Sequence, residues 1–272
     1  MSVINTNVSA LRAQNAMTAN ARAQSTAMEQ LSTGSKVNSA KDDAAGLAIG
    51  QSMTSQVRGL NQAVRNLNDG INMMQTAEGA LVETSNMLQR MRELAVQSAN
   101  GSYSSDQRIY LQTEFVALSS QIGKIATDTK WNDQSLLAAA GTAFTFQAGK
   151  DSGQTVGVTI NAMTLAGLNI TALITVSTTT KASDSLATLD SAIGLVNTQR
   201  ATIGAGINQM TYAADNLSNV AANVAASRSS IMDTDYATAS TQLSKTQIIQ
   251  QAATAMLAQA NQQPQTVLAL LK

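Results

Sequence analysis

The sequence specifies a mainly α-helical protein. It reads as long antiparallel heptad helices forming a rod, a small antiparallel β region, and a coiled coil made by the two chain ends. Three observations carry this. Apolar residues recur at alternating steps of four and three through two long stretches, Met53 to Leu88 and Leu186 to Ile231. Both ends of the chain carry a weaker stripe of the same spacing. Between the long stretches lies a segment rich in Gly, Ser and Thr in which apolar and polar residues alternate. A mean step of 3.5 residues holds one stripe on one side of a slightly underwound helix, the condition for a coiled coil.

The N-terminal stripe starts with Ile4, Val8 and Leu11 and continues one position out of phase through Met17, Ala21, Gln24, Met28 and Leu31, with Gly34 as the stop. Its apolar positions hold Ala, Gln and Met, so it buries little area and needs partners to order. The first long stripe is Met53, Val57, Leu60, Val64, Leu67, Ile71, Met74, Glu78, Leu81, Ser85 and Leu88. A helix over 44–99 would be about 84 Å long. Ser39 to Asp42 fits a capping box at its start, and Asn100-Gly101 ends it. The same neighbourhood holds Lys41, Asp42 and Asp43; an acid/base pair is conceivable there, but capping is the stronger reading because no cleft signature accompanies it. A third helix begins near Ser105-Asp106 with Leu111, Phe115, Leu118, Ile122 and Ile125, and fades near Asp128.

Residues 141–180 read as short strands with tight turns, on the alternation of Phe144 with Phe146, of Val156, Val158 and Ile160, and of Ile174 with Val176. The second long stripe is Leu186, Leu189, Ile193, Val196, Arg200, Ile203, Ile207, Met210, Ala214, Leu217, Ala221, Val224, Arg228 and Ile231. The C-terminal stripe, Ile249, Ala253, Met256, Ala260, Gln263, Val267 and Leu270, contains Pro264, which should kink it or cost a hydrogen bond. Folding the chain back on itself makes the long helices antiparallel and brings the ends together. Residues 1–42 and 235–272 then form one domain, and 43–234 the rod.

Composition narrows the function. The 272 residues include no Cys and no His, with 17 basic and 17 acidic side chains and 12% charged residues, about half the usual share. Disulfide frameworks, thiol nucleophiles, thiolate zinc sites, Ser-His-Asp triads and imidazole bases are excluded. Neutrality without a Lys/Arg cluster argues against nucleic acid as a partner. No window reaches about 18 uninterrupted apolar residues, so no membrane span is expected, and the start lacks the marks of a cleaved signal peptide. Low charge removes the repulsion that keeps copies apart, which favours self-association. No cofactor, metal site or catalytic set is expected.

Several stretches resemble the bacterial flagellin family: Ile4 to Asn7, Asn38 to Ile49, Arg58 to Gly70, Gln75 to Leu81, Leu88 to Gln97 and, at the far end, Met256 to Leu268. The resemblance covers roughly 1–137 and 183–272. It implies an inner-core domain of paired terminal helices and a rod with a small β region. With only about 45 residues between the third and fourth helices, it implies a minimal form without outer domains. Departures occur at Gln30, Ser35 and Lys36, at Trp131-Asn132-Asp133 and at Ala239, which put inter-subunit contacts near the linker in doubt.

What the resemblance implies about function is a subunit that self-assembles into the extracellular flagellar filament for swimming. Export would use the flagellar type III apparatus, with an export chaperone, cap and hook-junction proteins as partners. A hook-filament junction protein or a flagellin-derived surface adhesin is the alternative. Gln89, Arg90, Leu94, Gln97 and Glu114 match the pattern recognised by the vertebrate Toll-like receptor that senses flagellin, and the same residues would make axial subunit contacts; a solvated helix face is the plain reading. Glu78, Arg200 and Arg228 fall on the seams, as a register lock between helices or as edge charges with packed stems. Met53, Met74 and Met210 read as packing. Ser177 to Thr180 could accept O-linked sugars or be a polar loop.

Overall fold

The computed structural model describes residues 6–138, 141–170 and 174–270, of which 263–270 are described as helical backbone alone. In chain order the elements are α1 (Val8–Thr33), α2 (Ala44–Ala99), α3 (Ser105–Asp128), β1 (Lys130–Trp131), β2 (Gln134–Ser135), β3 (Thr142–Gln147), β4 (Thr155–Ile160), α4 (Thr179–Met232) and α5 (Tyr236–Leu270). The chain divides into two compact units, residues 1–57 with 222–272, and residues 58–221, so the divisions fall inside α2 and α4.

In the larger unit α2 and α4 are antiparallel. Three contacts fix the direction, because the partner's position falls as the position on α2 rises. A Cβ on Gly70 would lie 3.0 Å from Met210 Sδ. Arg200 Nε donates to Glu78 Oε1 at 2.8 Å, and Arg92 Nε donates to Asp190 Oδ1 at 2.6 Å. The buried line on α2 is Leu60, Ala63, Leu67, Gly70, Met74, Ala77, Leu81, Thr84, Leu88, Met91, Ala95 and Ser98, stepping three and four throughout. On α4 it is Ala182, Ser185, Leu189, Ala192, Val196, Gln199, Ile203, Gly206 and Met210.

Half of each expected seam is therefore displaced by one residue. The large residues Leu60, Leu67, Met74, Leu81 and Leu88 are buried as expected, but Ala63, Gly70 and Ala77 take the intervening places from Val64, Ile71 and Glu78. Ala192, Gln199 and Gly206 likewise replace Ile193, Arg200 and Ile207. The cause is the hairpin. β3 and β4 pair antiparallel, with Phe144 opposite Val158 and Phe146 opposite Val156. Their apolar face lies over the small residues: a Cβ on Gly206 would sit 2.5 Å from Val158 Cγ2, and one on Gly70 2.9 Å from Phe146 Cδ1. Gln199 fixes the end of β4, donating to Thr159 O at 3.0 Å and accepting from the Asn161 N–H at 3.1 Å.

Two local expectations need correction. The start of α2 is capped by Asp43, whose Oδ1 accepts from the Gly46 N–H at 2.9 Å. Ser39 and Asp42 form a turn before it that makes half of a capping box: the Asp42 carboxylate accepts from the Ser39 N–H and hydroxyl, while the Asp42 N–H donates to the Ser39 carbonyl and not to its hydroxyl. Asp43 wins because the helix starts at Ala44, one residue after it. Ile174 and Val176 do not form a strand. Val176 is anchored by side chains instead, donating to Gln112 Oε1 at 2.6 Å and accepting from the Ser98 hydroxyl, and α4 starts immediately after, at Thr179. An unexpected small hairpin, β1–β2, turns on Asn132 and Asp133, both at positive φ of 48° and 63°. Asn and Asp are the non-glycine residues that tolerate this region best, as a two-residue hairpin requires.

α3 begins with a full capping box between Ser104 and Gln107. Arg108, on its first turn, is buried and donates to the Ser98, Asn100 and Tyr103 carbonyls. It thereby places a cation on the carbonyl end of α2, where the helix dipole favours one.

Candidate functional site

In the smaller unit α1 and α5 run antiparallel, with Asn side chains reaching backbone carbonyls on the facing helix. Asn7 Nδ2 donates to Ala260 O at 2.7 Å, and Asn20 Nδ2 donates to Thr246 O at 2.8 Å and Gln250 Oε1 at 3.2 Å. A short side chain spans such a gap only where the helices approach closely, and Ala27 and Ala239 are buried between them. Gly34 closes α1 in the left-handed conformation at φ 69°. Ser35 then bridges to Asp233, and Lys36 N donates to Met232 O at 2.6 Å. α5 is capped by Asp235, whose carboxylate is held below the usual range by hydrogen bonds from the Thr238 hydroxyl and from the Ala237 and Thr238 N–H groups. It remains helical across Pro264.

The α5 seam is Ala239, Leu243, Thr246, Gln250, Ala253, Leu257 and Ala260; it keeps Ala253 and Ala260 of the expected stripe and puts Gln250 and Leu257 in the places expected for Ile249 and Met256. Of the stripe residues, Ala253 faces the seam, whereas Val8, Leu11, Ile249 and Met256 are 48%, 55%, 41% and 65% exposed. Ile4 and the side chains of Val267 and Leu270 lie outside the described residues. Met28 and Ile248 join the exposed set. The pair is thus partly inverted: alanines, amides and hydroxyls supply most of the seam, with Leu243 and Leu257 half-buried among them, while Val8, Leu11, Met28, Ile248, Ile249 and Met256 face out.

A second surface lies on α2 and α3. Arg90 Nε donates to Glu114 Oε1 at 2.9 Å, and Arg90 Nη1 to Glu93 Oε2 at 2.9 Å. Both bonds raise the guanidinium above its ordinary value, Glu114 most. Gln89 and Gln97 line one shallow depression with Arg92, Glu93 and Val96. Gln97 also donates to the Tyr103 hydroxyl at 3.1 Å. Leu94 does not belong to this exposed face. It is 1% exposed and sits in the core cluster with Phe115 and Ile122 of α3, because α3 covers that side of α2. Arg90, Gln89, Gln97 and Glu114 do share the surface. The seam charges divide: Arg200 and Glu78 form the cross-helix pair, while Arg228 is half-buried with no ion pair among the described residues. Thr179 and Thr180 belong to the first turn of α4, not to a loop. Neither a group of metal-ligating side chains nor a helix long and apolar enough to cross a membrane occurs among the described residues.

Long antiparallel helices with an unsatisfied apolar face on the paired chain ends define a self-associating structural protein. The comparisons give the particular family. The model of the bacterial flagellin N-terminal helical region matches residues 4–142, and that of the C-terminal helical region matches 186–271. The chain belongs to the bacterial flagellin family. It is 41% identical to a flagellin of Halalkalibacterium halodurans over 272 residues, covering 99% of this chain and 100% of that one. With flagellin B of Vibrio cholerae it shares 37% identity over 371 aligned positions, covering 98% of this chain and 99% of the relative. Among solved structures it is similar to a Bacillus cereus flagellin, at 32% identity and a TM-score of 0.51 over 56% of this chain and 88% of that one. A putative flagellar hook-associated protein of Vibrio parahaemolyticus shares the fold at 16% identity and a TM-score of 0.59, over 71% and 100% of the two chains. The protein is a short flagellin without outer domains, a structural subunit of the extracellular flagellar filament.

Proposed function

We propose that the partly inverted α1/α5 pair is the inner-core domain, formed by residues 1–42 and 235–272, through which copies of this chain polymerise, with 43–234 as the rod. The observation that carries this is the exposure of Val8, Leu11, Ile249 and Met256 while alanines, amides and hydroxyls supply most of the seam. Burying one such side chain is worth about 1.5–3 kcal/mol, so several in each subunit, repeated along a filament, hold the polymer while a lone monomer gains nothing from them. A contact that is head-to-tail and does not close extends as a helix.

A weakly held terminal pair also suits export as an unfolded chain through the flagellar type III apparatus. An export chaperone would cover the C-terminal helix, with cap and hook-junction proteins receiving the subunit outside. Gln89, Arg90, Gln97 and Glu114 are exposed together and supply a polar surface for neighbouring subunits and for the vertebrate Toll-like receptor that senses flagellin; Leu94 supports that surface from beneath. Removing residues 235–272 tests the core reading. The truncated chain should keep most of its helicity by circular dichroism and add nothing to filament seeds in electron micrographs. Elongation by the truncated chain would refute it.

A further inference from the structure

Sulfur chemistry in this chain is confined to thioethers, with 12 Met and no Cys. The methionines are not equivalent. Met73, Met74, Met91, Met163 and Met210 are buried at 4% exposure or less, and Met17, Met53, Met87 and Met232 are half-buried. Met28 and Met256 alone among the described methionines are well exposed, at 52% and 65%, and both belong to the exposed large apolar residues of α1 and α5. The antiparallel register set by Asn7 with Ala260 and Asn20 with Thr246 puts Met256 of α5 level with Leu11 of α1, which is also exposed.

We propose that Met28 and Met256 are oxidant-sensitive modification sites that block assembly of the free subunit. This rests on the α1/α5 faces being the polymerising surface. The co-reactant is a peroxide of the extracellular medium. The thioether sulfur attacks one peroxide oxygen, the O–O bond breaks, an S–O bond forms, and the second oxygen leaves as water; sulfur is oxidised by two electrons and hydrogen peroxide is reduced. The product carries a strong hydrogen-bond acceptor where the thioether had none. Enclosing that acceptor in an apolar contact without a donor is costly. Once a subunit is incorporated, the same sulfurs are covered by neighbours and escape. The sensitivity therefore belongs to the interval between export and incorporation.

The test treats purified full-length monomer with hydrogen peroxide, locates the added oxygen by peptide mass spectrometry, and measures elongation of filament seeds. Met28 and Met256 should be oxidised before the buried methionines. Elongation should fall at least about tenfold and return after treatment with methionine sulfoxide reductases. Filaments given the same treatment should keep both residues unmodified. The variant carrying Met28→Leu and Met256→Leu should elongate seeds and do so equally after peroxide. Undiminished elongation by monomer oxidised at both positions, or loss of elongation in the Leu variant on oxidation, overturns the proposal. Protection of neither residue in filaments overturns the assembly surface itself, whereas failure confined to the oxidised-monomer arm leaves that surface standing.

Discussion

Gly206 and Gly70 do at single positions what no larger residue could. Each is on a buried line where the β hairpin meets a long helix, and a Cβ on Gly206 would come 2.5 Å from Val158 Cγ2. Neither glycine has positive φ, so the reason is close approach and not backbone freedom. Gly206→Ala should therefore cost about 1–3 kcal/mol by overpacking, seen as a lower urea midpoint of the monomer. Gly79 and Gly194 sit in the same two helices with no atom within 4 Å of an added Cβ. Alanine at either should raise stability by about 0.5–1 kcal/mol, since the helix then forms with less backbone entropy lost. The opposite signs separate contact from propensity, and equal effects at all three positions would contradict the packing described.

Between the elements, the charged contacts set register. Arg200–Glu78 and Arg92–Asp190 join α4 to α2 at two levels, and one of the even-handed expectations for seam charges, a register lock, is met by the first. The Arg92 guanidinium, chiefly through its hydrogen bond, holds Asp190 below its usual 3.8. A depressed carboxyl contributes stability above its unfolded value and loses it as pH falls through the folded one. The pair's contribution is thus complete at neutral pH, begins to fall as pH drops through 3.8 and is gone only below the lowered folded value. Asp190→Asn should lower the melting temperature at pH 7 slightly, because both groups are half-exposed, and the deficit should shrink as pH falls below 3.8; a deficit that stays constant with falling pH would place the effect outside the ion pair. The bounds of the first helices were legible in the sequence, since α2 spans the 44–99 expected for it and Gly34 stops α1. The phase of each stripe was half legible. Leucine announces a buried line by its size, whereas Gly70 and Gly206 are on it because a hairpin distant in sequence needs room, which pushes Ile71 and Ile207 aside. Ile174 and Val176 show the same limit: alternation cannot tell a strand from an extended segment pinned by Gln112 and Ser98. Arg108 left no pattern at all, as its three carbonyl partners lie in the turn before it and at the end of α2.

At the scale of the whole molecule the two compact units differ in what they bury. The larger holds a continuous cluster of big side chains, Leu67, Met74, Leu81, Leu88, Phe115 and Ile122 among them, all at 1% exposure or less. In the smaller, the α1/α5 pair encloses Ala27, Ala239 and Thr246 and leaves Val8, Leu11 and Met256 outside. Conformational entropy must be offset residue by residue, and alanine contacts offset little of it. The terminal pair should therefore open far more often than the long helices of the other unit, and it should stop doing so when copies cover its apolar faces. Hydrogen exchange measures both states. In dilute monomer, the amides of α1 and α5 should exchange orders of magnitude faster than those of residues 60–98 and 182–210; in assembled filament the two groups should be protected alike. Should isolated monomers hold α1 and α5 as firmly as α2, the terminal helices would be stable by themselves, and burial between copies could not be what orders them.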